Sequence, residues 1–416
     1  MQRLLLAVLA SVACVAARAG DGGITDLSIE QLSNIQVTSV SKSGEALQNA
    51  PATIYVITHD DIVRSGVTSI AEALRLAPNL QITQYSSTNY VAGARGFAGA
   101  QEVQNFSNKL LILIDGRSVY TPIYSGVYLD AQDVALADID RIEVISGPGA
   151  TLWGANAMNG VINIITRAAY LTQGTMVDAG YGDAERTLTA RYGAKAGDAW
   201  SWRVYGKTFE HDPLELRDGT SARDGWDKAQ GGFRADWTSI ADTVTTQGDG
   251  YRAFDQQAGT AKARVEGANL LARWQHRGTT EWQLQSYYDY TERAQPPGGV
   301  AFALRTYDVE WQQKVNATRQ RIVWGAGGRM HQYYITPTQP LSFDPAERTL
   351  GLGDLFVSDT ISLPAEVALT LGLKAERDPY SGWALLPDVR AGWHVAERQL
   401  VWASASRAIR SPTPFD

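Results

Sequence analysis

From about residue 200 onward the chain is written in stretches of roughly ten residues that alternate apolar and polar side chains. In WSWRVYGKTF, Trp200, Trp202 and Val204 share one face, and Arg203 and Lys207 share the other. GFRADW sets Phe233, Ala235 and Trp237 against Arg234 and Asp236, and EWQLQSYYDY sets Trp282, Leu284, Tyr288 and Tyr290 against Glu281, Gln283 and Gln285. YDVEWQQ and DVRAGWHV repeat the pattern. A period of two is that of a strand with two unlike faces. After the first 20 residues no apolar run approaches the length of a membrane-crossing helix. Should such a chain cross a bilayer, it must cross as a closed barrel, because only there is every backbone polar group paired without water. Alternation alone also suits a soluble sandwich.

Three further features favour the membrane. Of the 12 tryptophans only Trp153 precedes residue 170, and indoles crowded into one half of a chain suit interfacial girdles. The connections also alternate: KAGDA, TSIAD, HRGTT, VNATRQ, SLPAE and VAERQ are short, whereas long polar segments fall near 210–230, 251–266, 291–304, 331–350 and 377–386. Short turns at one end and long loops at the other mark an outer-membrane barrel. Finally, the chain opens on MQRLLLAVLASVACVAARAG, with Arg3 as a charged start, Leu4 to Ala17 as a short apolar core and Ala17-Arg18-Ala19 as a small-x-small cleavage site. Removing residues 1–19 takes away two positive charges and no acid, so the formal charge of −7 falls to about −9. An acidic exported protein is a poor nucleic-acid binder. The only cysteine, Cys14, lies in that leader, so the exported chain carries no disulfide, cysteine-bound zinc or catalytic thiol.

The first half reads as a small α+β domain. ATIYVIT is a strand. TSIAEALRLAPNL is a helix in which Ser69 and Glu72 fit a capping box, Ile70, Ala73, Leu74 and Ala77 share a face, and Pro78 ends the run. KLLILIDGRSVY is a buried strand entering an Asp-Gly turn, and RIEVIS and GVINIIT are two more strands.

About thirteen strands are expected after residue 170. At about 4.8 Å spacing and 40° tilt these would close a ring only about 26 Å across. The first half, with about 120 ordered residues, needs a diameter near 35 Å. A ring of about 22 strands, roughly 44 Å across, would hold it. The thirteen strands therefore read as part of a larger wall, in a chain that is a fragment of a longer product.

The segments NAPATIYVITHDDIVRSGVTSIAEALRLAPNL, ARGF, NKLLILIDGRSVYTPIYSGVY and IDRIEVISGPGATLWGANAMNGVINIIT, in this order, resemble the TonB-dependent outer-membrane receptors. In the wall only SRAIRSPTP is a recognisable phrase of that family. The resemblance implies an α+β plug followed by a transmembrane antiparallel β-barrel, of which about 13 of 22 strands are present. It divides the chain into a signal peptide (1–19), an N-terminal extension carrying a TonB box (20–48), a plug (49–168) and a partial barrel (169–416). It also implies residence in the Gram-negative outer membrane with a periplasmic N-terminus.

The resemblance assigns roles as well. A TonB box is an exposed, mobile, β-prone segment that adds as a strand to the periplasmic energy-coupling protein TonB, itself part of an inner-membrane complex. Ile35, Gln36, Val37, Thr38, Ser39 and Val40 stand in that place. Plug arginines of the family pair with carboxylates on the barrel wall, a role that fits Arg95 and Arg141. Ser146 stands where the family commonly has another arginine, and Trp153 where it often has tyrosine. Tyr85, Tyr90, Tyr120, Tyr124 and Tyr128, in plug loops expected to face outward, suit contact with a ligand because tyrosine offers both ring area and a hydrogen bond. The implied function is TonB-dependent active import of a scarce nutrient, a small molecule or metal chelate such as siderophore-iron, cobalamin or haem. The alternative is a surface receptor that binds or signals without transport, and a passive porin is disfavoured by the plug.

Other motifs carry less. GPGATLWGANAMNG lacks the Gly-Lys-Ser/Thr ending of a phosphate-binding loop and is followed by a strand, so its glycines are expected to serve tight turns and close approach. Asp218, Asp224 and Asp227 do not follow a calcium-loop spacing. The five histidines, His59 and His211 among them, are scattered without metal-ligand spacing. No catalytic constellation, resident metal or cofactor is expected.

Overall fold

Short strands, many of them distant in sequence, organise the first half. β1 (Gln36–Val37) pairs antiparallel with β2 (Glu45–Ala46). β3 (Thr53–Thr58) is followed by helices α1 (His59–Ser65) and α2 (Ile70–Leu74). β4 (Leu80–Gln84) and β5 (Tyr90–Ala94) form a hairpin, and β6 (Ala100–Gln101) and β7 (Gln104–Asn105) a smaller one. β8 (Leu110–Ile114), β9 (Arg117–Ser118), β10 (Ile139–Ser146), helix α3 (Ala150–Trp153) and β11 (Gly160–Thr166) complete the plug. A computed structural model describes residues 35–42, 44–96, 100–101, 104–105, 109–256, 262–294, 301–337, 343–396 and 399–414. The expected signal peptide and residues 20–34 of the expected extension lie outside the described residues.

The central plug sheet has the order β3-β10-β11-β8-β9. Only β11 and β8 are parallel, and β8 is the apolar run foreseen as buried. It is buried on both faces, which is why the run is continuous rather than alternating. Leu110, Ile112 and Ile114 enter a core with Ile57, Ile62, Ile70, Leu74, Ile142 and Ile164 beneath α1 and α2. Leu111 and Leu113 enter a second core on the opposite face, with Val56, Tyr120, Ile145, Val161 and two residues from near the start of the described chain, Val37 and Val40.

Local chemistry explains the helices. Thr58 and Asp61 close a reciprocal capping box at α1, and Gly66 ends it at φ 71°. This seven-residue helix, absent from the sequence reading, is too short to show a period. At α2, Ser69 Oγ accepts from the Glu72 N–H as expected (3.3 Å), but the Glu72 carboxylate turns to the Thr68 N–H (3.0 Å). The β8–β9 turn has φ 50° at Asp115 and 81° at Gly116, the backbone that an Asp-Gly hairpin requires.

The second half is one antiparallel sheet in which every strand pairs with its sequence neighbour. Its thirteen strands are β12 (Gly174–Tyr181), β13 (Glu185–Ala196), β14 (Trp200–His211), β15 (Trp226–Thr238), β16 (Asp242–Asp255), β17 (Ala263–His276), β18 (Glu281–Ala294), β19 (Ala301–Asn316), β20 (Gln320–Thr336), β21 (Glu347–Leu363), β22 (Val367–Asp378), β23 (Gly382–Ala396) and β24 (Gln399–Ser406). The sheet does not close: β12 and β24 do not pair with one another. The plug lies against its concave face.

The two faces differ as the alternation demands. Val204, Leu270, Leu284, Val309, Leu355 and Leu371 point outward and are exposed, whereas Arg203, Lys207, Lys228, Gln230, Arg293 and Lys374 point inward and are buried against the plug. Trp200, Trp274, Trp324 and Trp393 also face outward, 42–51% exposed, near the ends joined by short turns. They form a lipid-boundary girdle at that end. Tyr181 and Tyr334 sit outward at the opposite, loop end.

The loops differ from expectation. At the loop end 182–184 joins β12 to β13, and the strands flanking the five polar segments read from sequence leave only 212–225, 256–262, 295–300, 337–346 and 379–381 between them, each shorter than the segment expected. β19, β20 and β21 run for 16, 17 and 17 residues, beyond the roughly 9–11 that cross a bilayer. The ladder therefore continues past the membrane through sequence that its polarity marked as loop.

Leu270 lies midway along β17 and faces lipid. Leu270→Arg is expected to cost about 2–4 kcal/mol, measured by denaturant titration of the protein refolded in lipid vesicles. Thr279→Arg, in the exposed β17–β18 turn, is expected to stay within about 0.5 kcal/mol of the parent.

Candidate functional site: the plug–wall interface

Where the plug meets the wall, charge meets charge. Plug Asp138 pairs with wall Arg191 and with Arg203 Nε at 3.1 Å. Asp133 pairs with Lys207 at 2.8 Å, and Asp130 with Arg293. The fully buried Lys228 ammonium donates to the carbonyls of Asp130 and Ala131 at 3.1 and 2.9 Å. Asp115, at the hairpin tip, accepts from Thr166 N and Oγ1 (2.8 Å each) and from wall Gln247 (2.7 Å), and its carbonyl accepts from Arg273. Burial alone would raise the Asp115 pKa, but Arg234 and these donors lower it below the usual carboxylate value. A β-carbon on Gly116 would meet Gln285 and Arg273 at 3.2 and 3.3 Å, so the tip is pressed onto the wall. Gly154, at φ 83°, comes as close to wall Glu376, and the neighbouring Ala155 N–H donates to that carboxylate at 3.2 Å. These contacts match the roles expected for glycine here.

The polarity of most pairs is the reverse of the one expected. Plug carboxylates meet wall cations. The plug arginine that meets a wall carboxylate is Arg117, paired with Asp289, and not Arg95 or Arg141. Arg95 is exposed at φ 58° and makes no ion pair among the described residues. Arg141 pairs with Asp140 (2.6 Å) and Glu143 (2.8 Å), both on its own strand. Arg141 lines the same plug–wall cavity as Arg273 and Gln275, but its guanidinium is taken by these two neighbours on its own strand.

That segment was expected to be exposed and mobile; it is docked. Val37 is fully buried, and Ser39 and Val40 are nearly so. Ile35 packs against the second core and Gln36 is exposed. The buried Glu143 carboxylate receives the backbone N–H groups of Thr38 (3.0 Å) and Ser39 (2.8 Å). Trp153 Nε1 donates to the Ser39 carbonyl at 2.8 Å, and Asn163 donates to Ser39 Oγ at 3.0 Å. From the wall, Arg390 donates to the Val40 carbonyl at 3.1 Å, and Glu310 takes the Lys42 ammonium at 2.6 Å. Burial lowers the Lys42 pKa, with Glu310 opposing the shift. Lys42 also lies over the rings of Trp153 (5.0 Å) and Phe356 (4.7 Å). None of Glu143, Trp153, Lys42 or Glu310 was singled out from sequence as holding the segment. Glu143 alone left a trace, since an acid inside the apolar strand RIEVIS needs a buried partner.

At the loop end the structure gathers three of the five expected tyrosines. Tyr124 stacks on Tyr128 with centroids 4.1 Å apart, and Tyr128 stacks on wall Phe302 at 5.8 Å. Burial pushes the Tyr124 pKa up to about 12, with a smaller contribution from nearby Tyr85. Tyr85 is 49% exposed. Tyr90 and Tyr120 are packing residues instead, buried in the first and second core respectively.

The three aspartates are held apart. Asp224 accepts from the Ser87 and Leu214 N–H groups at 2.8 Å each, tying the 212–225 loop to the plug. Asp218 accepts from Thr220, and Asp227 pairs with Lys262 at 3.7 Å. Among the described residues no cluster of three or more His, Cys, Asp or Glu is placed to hold a metal.

An alternating wall with a lipid-facing girdle and a charge-matched globule against its inner face defines the class of plugged outer-membrane β-barrels. The sequence pattern of the TonB-dependent receptor plug domain matches residues 46–161, and that of the TonB-dependent receptor-like β-barrel matches residues 201–416. The chain belongs to the TonB-dependent receptors of the outer membrane. It is 25% identical over 336 residues to the vitamin B12 transporter BtuB of Vibrio cholerae, covering 74% of this chain and 52% of that protein. It is 31% identical over 196 residues to an iron-regulated outer membrane virulence protein of the same species, covering 44% and 28%. The chain thus spans about half the length of the vitamin B12 transporter it matches. Among solved structures, the siderophore receptor PirA of Pseudomonas aeruginosa superposes with TM-score 0.67 at 21% identity (86% of this chain, 65% of that one). The copper transporter OprC superposes with TM-score 0.68 at 16% identity (86% and 64%).

Asp133→Asn leaves Lys207 buried without a counter-charge and is expected to cost about 3–5 kcal/mol. Asp133→Leu combined with Lys207→Met is expected to recover most of that loss, because the desolvation cost disappears with the charges. Denaturant titration of both variants checks the pair.

Proposed function

We propose that this protein imports a scarce nutrient across the outer membrane, driven by a periplasmic energy-coupling protein of the TonB type. The observation that carries the reading is the docked segment 35–42. It is β-prone, held by a few side chains, and it contributes Val37 and Val40 to only one of the two plug cores. A segment joined to one layer of a domain can be drawn out while the other layer stands, which is local unfolding at modest cost. Ile35, Gln36, Val37, Thr38, Ser39 and Val40 are the residues that the coupling protein would engage by strand addition once they leave their dock. Docking accounts for why the segment is silent until released.

In this reading the turn end and the N-terminus face the periplasm, and the loop end faces outward. Substrate meets Tyr85, Tyr124 and Tyr128 together with the outer loops. The half-buried Tyr124–Tyr128 stack, backed by the buried Phe302, suits a ligand with a flat or aromatic portion. Relatives named for vitamin B12, siderophore and copper transport set the range of cargo, a small molecule or a metal chelate. The division into extension, plug and wall near residues 48 and 168 follows the same reading.

In cells making the whole gene product, deleting residues 34–41 is expected to abolish energised uptake of cobalamin or ferric siderophore and to leave surface binding of the same compound intact. Uptake that survives the deletion rejects the coupling role. Binding lost together with uptake points instead to a misassembled plug.

A further inference from the structure

Two of the cavities between the plug and the wall lie against strands β17–β22. The larger, about 470 Å³, opens toward the turn end past Arg277, Glu281 and Lys314. The smaller, about 80 Å³, reaches toward the loop end, past Pro122, Tyr380 and Thr413. They share the same stretch of lining: Leu111, Ser118 and Trp153 from the plug, and Asp308, Glu310 and Arg329 from the wall. Lys42 ends in that shared stretch, against Trp153 and Glu310. The indole that forms one side of the constriction is itself held in place by the Ser39 carbonyl. Of the six shared residues, Trp153 and Glu310 contact the docked segment, while Arg329 and Asp308 pair with one another within the wall at 2.8 Å.

We propose that the two cavities are halves of one passage for a polar, hydrogen-bonding solute, that it runs between the plug and β17–β22, and that Lys42 is the residue that closes it. The lining sets amides and charges of both signs, including Gln283, Gln312, Asp308, Arg329 and Lys374, beside apolar Leu111, Leu113 and Trp153, and its polar groups suit a solute that forms hydrogen bonds. Withdrawal of residues 38–42 removes the ammonium from between Trp153, Phe356 and Glu310 and releases the Trp153 donor. The core under α1 and α2 includes no residue of the segment, so the seam opens while that half of the plug and its ion pairs to β13 and β14 stay in place. The direction of traffic rests on the import reading above; the closure by Lys42 does not.

The test uses Ser118, whose side chain lines both cavities. In the purified full-length protein Ser118→Cys is titrated with a small sulfonate-bearing methanethiosulfonate, and the labelling rate is compared among partner variants. Lys42→Ala and Glu310→Gln are each expected to raise the rate about tenfold or more, and Lys42→Arg to stay within about twofold of the parent. Asp133→Asn breaks a more deeply buried plug–wall pair at β14, five strands away round the wall, and is expected to leave the rate unchanged. A rate that does not rise in Lys42→Ala and Glu310→Gln overturns the proposal. So does an equal rise in Asp133→Asn, which would mean general loosening and not a gate. No substrate or coupling protein takes part in the labelling, so failure of the uptake assay and failure of the gate are separate results.

Discussion

A barrel wall that is apolar toward lipid must be polar on its other face, because side chains alternate along each strand. Whatever fills the lumen without water is obliged to answer those polar groups one by one, since an unanswered buried charge costs several kcal/mol. The plug of this protein does so chiefly with acids. Asp130, Asp133 and Asp138 meet Arg293, Lys207, Arg191 and Arg203, and backbone carbonyls take Lys228. A loose fit would let water in, and a tight fit without charge matching would not be stable. Outside the cavities along β17–β22 the contacts are close and charge-matched, and glycines stand where the plug backbone touches the wall.

The central sheet divides the plug into two cores of unequal independence. The core under α1 and α2 is made from residues 57–164 alone. The other is finished by Val37, from the two-residue strand β1, and by Val40 beyond it. Those residues have little hydrophobic area of their own to hold them, so the docking is completed by polar groups: Glu143, Trp153, Asn163 and Arg390. Hydrogen bonds of this sort are worth about a kcal/mol or two apiece. They give a dock firm enough to exist and weak enough to be undone by a pulled strand.

Much of the fold was legible in the sequence because its signals are periodic and repeated. The two-residue alternation gave the strands and their faces, and the short turns gave their order. The Asp-Gly pair at 115–116 gave the hairpin. What failed was whatever depends on neighbours distant in sequence. Arg141 read as a wall contact because its strand does not show that Glu143, which also holds residues 38 and 39, takes the guanidinium. Residues 35–40 read as mobile because their polar flanks do not reveal the buried carboxylate of Glu143. Tyr120 looks like its neighbour Tyr124 in YTPIYSGVY, yet it sits in a core while Tyr124 stacks beneath the outer surface. The loop lengths misled for a different reason: polarity marks exposure to water, and a strand that outruns the membrane is exposed on both sides.

The ladder register turns the charge pairs into an azimuthal key. Lys207 stands opposite Gln230, which stands opposite Tyr251, and Arg203 stands opposite Arg234, which stands opposite Gln247. Turning the globule by two strands within its ring would therefore carry Asp133 from an ammonium to a phenol, and Asp138 from a guanidinium to an amide. The stopper has a single bearing in its socket.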